Sequence, residues 1–224
     1  MFFDPLYCLF AIPGLLLALW AQAQVKGAYA RYTQVRNARG VTGLQAAEYL
    51  MARQGLSLNV EGTPGQLTDH YDPRSKTIRL SQGVAMQPSV ASVAIVAHEL
   101  GHAMQDKTGY MPLKLRGALV PAVQLSPMVS YALFMLGLLF QMPNLVNLGI
   151  LVFGFSVLFS LVTLPVEFDA SRRALRMLQD NQLLTGQEME GARKVLRAAA
   201  LTYVAAAVQS LMTLLYLLSR ARRS

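Results

Sequence analysis

One stretch of 50 residues, residues 117–166, contains no charged side chain. Residues 5–25 and residues 198–219 form two shorter uncharged stretches, of 21 and 22 residues. An α-helix needs about 20 predominantly apolar residues to cross a hydrocarbon core of about 30 Å. Only 14% of the chain is charged, against about 25% in soluble domains, and 54% is hydrophobic. The sequence therefore predicts a mostly α-helical, polytopic membrane protein.

The 50-residue stretch is too long for one crossing, and a polar run divides it near its centre. Residues 141–144 read Gln-Met-Pro-Asn, which favours a turn over a continuous helix. We therefore predict a transmembrane helical hairpin over residues 117–166. Single crossings over residues 1–25 and 198–224 complete the membrane part, and residues 26–116 and 167–197 form two polar segments.

The first uncharged stretch also has one feature of a cleaved signal peptide. Residues 21–23 read Ala-Gln-Ala, the small-residue spacing of a cleavage site. However, no positive charge precedes the stretch, whereas four basic residues follow it: Lys26, Arg31, Arg36 and Arg39. A positive flank in that place resists translocation of the segment that follows. We therefore predict a retained N-terminal membrane anchor.

The basic residues predict which side of the membrane the polar segments face. Segments 26–116 and 167–197 contain 11 and 6 Lys and Arg, and because two crossings separate them, both face one compartment. Cytoplasmic loops are enriched in Lys and Arg, which predicts the cytoplasm. The basic tail, Arg220, Arg222 and Arg223, would then lie outside. This objection leaves a peripheral or re-entrant last stretch as the alternative.

The net charge of +8 does not by itself predict nucleic-acid binding. The 20 Lys and Arg lie beside long uncharged stretches rather than on a polar face with interleaved aromatic residues. Flanks of membrane helices carry such charges in ordinary membrane proteins. We therefore expect a lipid bilayer, and no nucleic acid, as a partner.

Local patterns predict a helix and a hairpin in the first polar segment. Residues 42–54 have apolar side chains at helical spacing, and Gly55 follows as a natural stop. The turn signal Asp-Pro-Arg-Ser at residues 72–75 separates residues 69–71 from the alternating residues 77–80. We therefore predict a short β-hairpin here.

Residues 80–97 form another uncharged run, of 18 residues, whose apolar half is an alternative membrane crossing. The polar residues 87–89 interrupt its start, and ionisable residues follow its end. We therefore favour a buried helix, with Ser89 or Ser92 as its N-terminal cap.

Residues 98–102 read His-Glu-Leu-Gly-His, which is the pattern H-E-x-x-H. On a helix, His98 and His102 project from one face and can hold one zinc at about 2.0–2.1 Å each. Glu99 is turned off that face, where it can act as general base towards the zinc-bound water. Because the chain has only three histidines and six glutamates, the chance that they form this five-residue pattern at random is on the order of one in a thousand. The alternative is a helix with incidental histidines.

A catalytic zinc needs a third protein ligand besides an open position. Glu167 is best placed, because it is the first charge after the 50-residue stretch and the hairpin returns it to the compartment of His98. Pro165 can begin a helix or interrupt the crossing there. The helix that follows has an apolar stripe suited to packing beside the catalytic helix: Ala174, Leu175 and Leu178. The alternative for Glu167 is a boundary carboxylate paired with Arg172 or Arg173.

Four segments carry a resemblance to a known family: residues 69–74 (DHYDPR), 79–81 (RLS), 97–105 (AHELGHAMQ) and 165–171 (PVEFDAS). In these segments the chain resembles the YugP-type neutral zinc metallopeptidases, small bacterial membrane proteins, and more distantly the HtpX-type gluzincin peptidases. The resemblance implies Glu167 as third zinc ligand. The distant group has Glu-x-x-Ala-Asp, whereas this chain has Ser171 in place of that Asp. Asp169 and Asp106 are the candidates for its supporting role.

Together these features predict a zinc-dependent metalloendopeptidase in the bacterial inner membrane, with its active site on the cytoplasmic side and membrane or membrane-associated proteins as substrates. The predicted peptidase segment is 26–116, and segment 167–197 supplies the third ligand. A site-2 type intramembrane protease is a rival, but the Leu-Asp-Gly-like segment that it uses is absent from the sequence. The rival from another class is a membrane adaptor or chaperone that keeps a structural metal.

Four further residues are candidate contacts to the substrate or transition state. His70 and Tyr71 can donate to an oxyanion, or they are an exposed hairpin pair. Residues 77–81 can form an edge strand that pairs with an extended substrate, with Thr77 and Arg79 as contacts, or they only stabilise the hairpin.

Overall fold

The computed structural model describes residues 5–222, so Arg223 of the predicted basic tail lies outside the described residues. This part of the chain forms seven α-helices and three β-strands. The helices are α1 (Pro5–Thr33), α2 (Gly43–Gln54), α3 (Gln82–Met86), α4 (Val90–Lys107), α5 (Met111–Leu139), α6 (Pro143–Asp180) and α7 (Gly186–Ala221). The strands are β1 (Asn59–Thr63), β2 (His70–Asp72) and β3 (Thr77–Ser81).

Four helices within residues 5–222 are long and apolar enough to cross a membrane: α1, α5, α6 and α7. At most 22% of the most apolar stretch of each is buried inside the protein. The many exposed apolar side chains of these helices would be unfavourable in water, and the hydrocarbon core of a bilayer can surround them. The protein is therefore a polytopic helical membrane protein, as the uncharged stretches predicted.

The chain divides into two compact units, and the first contains residues 5–22, Met111–Pro165 and 201–222. In this unit α5 and α6 form the predicted hairpin, with a turn over residues 140–142. The Ser130 hydroxyl donates to the Gly149 carbonyl at 2.7 Å and thereby links the two helices. The rings of Tyr7 and Tyr216 lie 5.2 Å apart, so α1 begins beside the end of α7. Arg220 lines the same cavity as the α5–α6 turn. Both ends of the described chain therefore lie near the hairpin turn.

Both alternatives for Pro165, the start of a helix and an interruption of the crossing, are wrong, because α6 runs without a break from Pro143 to Asp180. Proline has no backbone N–H and therefore removes one helix hydrogen bond, which a membrane helix tolerates when packing holds it in place. Here the residues just after Pro165 are buried on one side of the helix: Val166, Ala170 and Ala174. This packing favours continuation of the helix over a new start.

The second unit contains Ala23–Tyr110 and Val166–Ala200, and its sheet has the order β1-β3-β2. Strands β2 and β3 pair antiparallel, so the predicted β-hairpin is confirmed. Strand β1 pairs parallel with β3 and was not predicted. The prediction of residues 77–81 as an edge strand is wrong, because β3 lies at the centre with both edges paired. Parallel strands cannot be joined by a tight turn and are separated along the chain, so the alternation of residues within one strand does not reveal such a partner.

Helix α4 lies in the core of the second unit rather than among the four candidate spans. Its N-terminus is capped by Ser89, whose hydroxyl accepts the Ser92 N–H at 3.1 Å, so the first of the two predicted caps is confirmed. Helix α2 ends at Gly55 as predicted, with φ of 58°. The core joins α4 to its neighbours through Val93, Val96 and Leu100 of α4, Leu50 of α2, Ile78 of β3, and Ala174 and Leu178 of α6.

Candidate metal centre

The two histidines of the H-E-x-x-H pattern lie one turn apart on α4, as the spacing of four residues requires. The ring centroids of His98 and His102 lie 4.8 Å apart, and the ring planes make an angle of 82°. His102 is 8% exposed, and the His98 side chain is 12% exposed. The rings therefore sit nearly perpendicular in a largely buried position, which lets both aim a nitrogen at one point.

Glu167 of α6 meets both histidines. Its Oε2 lies 3.2 Å from His98 Nε2 and 3.6 Å from His102 Nε2, and the residue is 1% exposed. Two ligands at about 2.0–2.1 Å from a tetrahedral zinc are roughly 3.4 Å apart, which these separations match. All three donor atoms lie within 4.8 Å of one another. Two imidazoles and one carboxylate are a donor set of catalytic zinc sites, so the residues fit this metal.

The alternative for Glu167 is pairing with Arg172 or Arg173, and the structure places the second of these at another carboxylate. The Arg173 guanidinium contacts Asp169, with Nε 2.6 Å from Oδ2. Glu167 is oriented towards the histidines instead. Glu167 therefore faces the metal position, whereas Asp169 pairs with the arginine.

A close approach of α4 and α6 makes this meeting geometrically feasible. A Cβ built on Gly101 would lie 2.4 Å from the carbonyl oxygen of Ala170, well inside contact distance. Glycine at this position lets the α6 backbone lie directly on α4. Glu167, three residues before Ala170, is thereby brought to the histidines that flank Gly101.

Glu99 lies beside the three donors and is 8% exposed. Its Oε2 accepts the backbone N–H of Tyr71, in β2, at 2.9 Å. Burial raises the pKa of the Glu99 carboxyl above its ordinary value. The strand therefore fixes one oxygen of a carboxylate whose proton affinity is increased, which is a useful property in a general base.

Each histidine also has a partner at its other ring nitrogen. His98 Nδ1 lies 3.2 Å from the Ser171 hydroxyl, and His102 Nδ1 lies 3.0 Å from Gln105 Oε1. The Gln105 amide in turn donates to Asp169 Oδ2 at 3.0 Å. Such partners orient metal-bound histidines. Gln105 was not among the predicted site residues, although its place one turn after His102 on a helix predicted to be buried was an available signal.

The two candidate supporting carboxylates differ in position. Asp169 reaches His102 through Gln105, as described above. Asp106 instead accepts the Tyr71 hydroxyl at 2.6 Å and also contacts the Lys76 ammonium. Burial and then the bond to Asp106 raise the pKa of the Tyr71 hydroxyl, which keeps it a donor. Ser171 itself, in place of the Asp of the distant family, contacts His98.

The four candidate substrate contacts are placed differently by the structure. Tyr71 touches the site through Glu99. His70 is exposed and its Nδ1 lies 2.8 Å from the Thr68 carbonyl oxygen. The Thr77 hydroxyl donates to the Ser75 carbonyl. Arg79 pairs with two carboxylates of the sheet, those of Glu61 and Asp72. Substrate contact by these four residues stays a prediction.

Comparison with known proteins agrees with the site. A family model described as "Putative neutral zinc metallopeptidase" matches residues 7–222. The chain is similar to the "Putative membrane protease YugP" of Bacillus subtilis (strain 168), with 41% identity over 211 residues, 94% of each chain. No solved structure matches the chain. The predicted resemblance is confirmed, and zinc is the metal of the matching family. The family model covers nearly the whole of the described chain, and the chain therefore belongs to the neutral zinc metallopeptidase family.

Proposed function

We propose that the protein is a membrane-embedded zinc metalloendopeptidase that hydrolyses peptide bonds of membrane or membrane-associated proteins. One observation carries the proposal: the buried carboxylate of Glu99 lies beside a complete set of three zinc donors and is held by the Tyr71 N–H. A metal site that served structure alone would need no such carboxylate. The family match and the four apolar helices support the peptidase class and the membrane setting.

The chain's own residues divide the chemistry between them. His98, His102 and Glu167 would hold the zinc and leave a position open. When bound, zinc polarises a carbonyl and lowers the pKa of water towards 7. We assign to the Glu99 carboxylate the proton transfer from water to the leaving amine, and the Tyr71 N–H, which donates to Oε2, holds this carboxylate in place.

A site-2 type mechanism, in which the histidines lie inside a crossing helix, is disfavoured by the position of α4. This helix is packed in the core of the second unit, and the four candidate spans of residues 5–222 are other helices. We infer that the reaction takes place in the polar part of the chain, next to the membrane that anchors it. Extended segments of membrane-associated proteins are the substrates that such a site would meet.

We further propose that the active site faces the cytoplasm at the bacterial inner membrane. The 11 and 6 basic residues of segments 26–116 and 167–197 support this orientation. Additional support comes from α7, a continuous helix to Ala221 whose end lines a cavity with the α5–α6 turn. In the proposed topology the α5–α6 turn lies on the membrane side opposite the polar segments. Because α7 ends beside this turn, a full crossing by α7 is favoured over a peripheral last stretch.

The substitution Glu99→Gln tests the proposed function. An amide cannot accept the proton, so we expect cleavage of an unfolded protein in detergent to fall by about 10²–10⁴-fold. Zinc stoichiometry and thermal unfolding should stay near those of the wild type. Glu48→Gln is the matched control, because it makes the same change at an exposed carboxylate of α2.

The outcome separates two classes of protein. Cleavage by Glu99→Gln at the rate of Glu48→Gln would contradict the general-base assignment. If deletion of the gene causes a cellular phenotype and the Glu99→Gln variant restores the wild-type phenotype fully, the protein is an adaptor or chaperone that keeps a structural metal. Loss of cleavage and of complementation together would support the peptidase.

A further inference from the structure

We propose that Gln105 is a positioning residue that holds His102 in the tautomer required for zinc binding, with Asp169 as the anchor of the Gln105 amide. The proposal rests on the metal site described above and extends it to a residue outside the ligand set. It concerns the hydrogen on His102 Nδ1, so it can be tested in the metal-free protein.

Gln105 is fully buried, and its side-chain amide has three hydrogen-bond partners. Its Oε1 lies 3.0 Å from His102 Nδ1. Its Nε2 lies 2.7 Å from the carbonyl oxygen of Val166 and 3.0 Å from Asp169 Oδ2. Each atom of the amide therefore faces a defined group on α4 or α6.

The partners determine which way the amide points. The Val166 carbonyl only accepts hydrogen bonds, and the Asp169 carboxylate, held by Arg173 Nε at 2.6 Å, is likewise an acceptor. A rotated amide would place its oxygen against both of these oxygens. The NH2 group must therefore face α6, and Oε1 must face His102.

The orientation of the amide determines the tautomer of His102. Oε1 can only accept, so His102 Nδ1 must carry the hydrogen and donate it. Nε2 then has the free lone pair, and Nε2 is the nitrogen that faces Glu167. Asp169 thus acts on His102 through an amide rather than by direct contact. Without Gln105 the ring would be free to populate the other tautomer and to rotate.

His98 provides an internal comparison. Its Nδ1 partner is the Ser171 hydroxyl, at 3.2 Å. A hydroxyl donates or accepts equally well, so it does not select a tautomer. Before the metal binds, Glu167 Oε2, which only accepts, lies 3.2 Å from His98 Nε2, so we expect His98 in the Nε2–H form and only His102 in the Nδ1–H form.

The test uses full-length protein in detergent, metal-free and labelled with ¹⁵N-histidine, at a series of rising pH values, and the tautomer is read where the ¹⁵N shifts show that the rings are neutral. The chain has three histidines, so each ring can be assigned. Long-range ¹H–¹⁵N spectra report the tautomer. We expect His102 in the Nδ1–H form in the wild type and a tautomer mixture in Gln105→Met, which keeps the length of the side chain but removes the amide.

Zinc affinity is the second measurement, by competition with a chromophoric chelator. Loss of a histidine-orienting partner typically weakens metal affinity 10–100-fold, and we expect this range for Gln105→Met. Ser92→Ala is the control, because Ser92 is also a buried polar residue of α4 but lies at the far end of the helix, beside Ser89. Its tautomers and zinc affinity should match the wild type.

The Nε2–H form of His102 in the wild type would overturn the proposal, whether or not any variant folds. Wild-type zinc affinity and an unchanged His102 spectrum in Gln105→Met would overturn it as well. A wild-type protein that binds no zinc would contradict the proposed function instead, and the tautomer spectrum would still decide the role of Gln105.

Discussion

Substitution of Gly101 by alanine places one methyl group between the helix of the two histidines and the helix of the third ligand. The new Cβ would lie 2.4 Å from the Ala170 carbonyl oxygen, 3.0 Å from its carbonyl carbon and 3.2 Å from its Cα. All three are backbone atoms, so no side-chain rotation relieves the overlap. Contact distances near 3.5 Å require α4 and α6 to separate by about 1 Å at this point. Glu167, one turn away on α6, would be displaced with it.

The magnitude follows from two opposing effects. In an open helix interior, alanine in place of glycine stabilises by about 0.5–1 kcal/mol. Overpacking of a tight contact costs about 1–3 kcal/mol. We therefore expect Gly101→Ala to lose about 1–2 kcal/mol of unfolding free energy, which lowers the Tm by about 2–8 °C in a chain of this size. A displacement of about 1 Å at a catalytic group can cost about 10²-fold in rate. We expect a loss of that order in peptidase activity, together with weaker zinc binding.

The assay is thermal unfolding of the purified protein in detergent, followed by zinc titration and peptidase rate. Gly27→Ala is the matched control, because Gly27 lies within α1 and a Cβ there would have no atom within 4 Å. The control should keep or raise the Tm. A Gly101→Ala variant with the Tm, zinc affinity and rate of Gly27→Ala would refute the close-contact argument.

Two further predictions concern the ligand set and the topology. Glu167→Ala should lose zinc and activity together, because two histidines alone leave the metal under-ligated; full zinc occupancy in that variant would exclude Glu167 as a ligand. With Cys8 replaced, cysteines at the exposed positions Arg74 and Gln187 should resist a membrane-impermeant thiol reagent in intact cells, whereas one at Asn144 should react. Labelling at Gln187 with protection at Arg74 would contradict the proposed topology.

Much of the membrane part was predictable because its physical cause is local. A crossing helix must satisfy its own backbone and present apolar side chains to lipid, so a long uncharged stretch is a direct signal. The hairpin turn near residues 141–144 was predicted for the same reason. Helix ends were harder, since α6 and α7 continue past the first charges into the polar segments. Charge marks the border of the lipid, whereas the end of a helix depends on what its next turn packs against.

The sheet illustrates the opposite case. Strands β2 and β3 are joined by a short turn, and their residues alone predicted the pairing. Strand β1 pairs with β3 in parallel, and its own residues are largely exposed with no clean alternation. That pairing makes β3 a central strand, which corrected the prediction of an edge. A contact between distant segments leaves little trace in the sequence of either one.

The metal centre combines both kinds of information. The sequence by itself determined that His98 and His102 share a face and that Glu99 lies beside them, because the geometry of a single helix sets these relations. Only the tertiary structure decided that Glu167 meets the histidines, since that contact depends on the packing of α4 against α6 across Gly101. The same packing brings Gln105 to Val166 and Asp169. A helix specifies its own face through local backbone geometry, but which helix covers that face depends on the burial of side chains from remote parts of the chain.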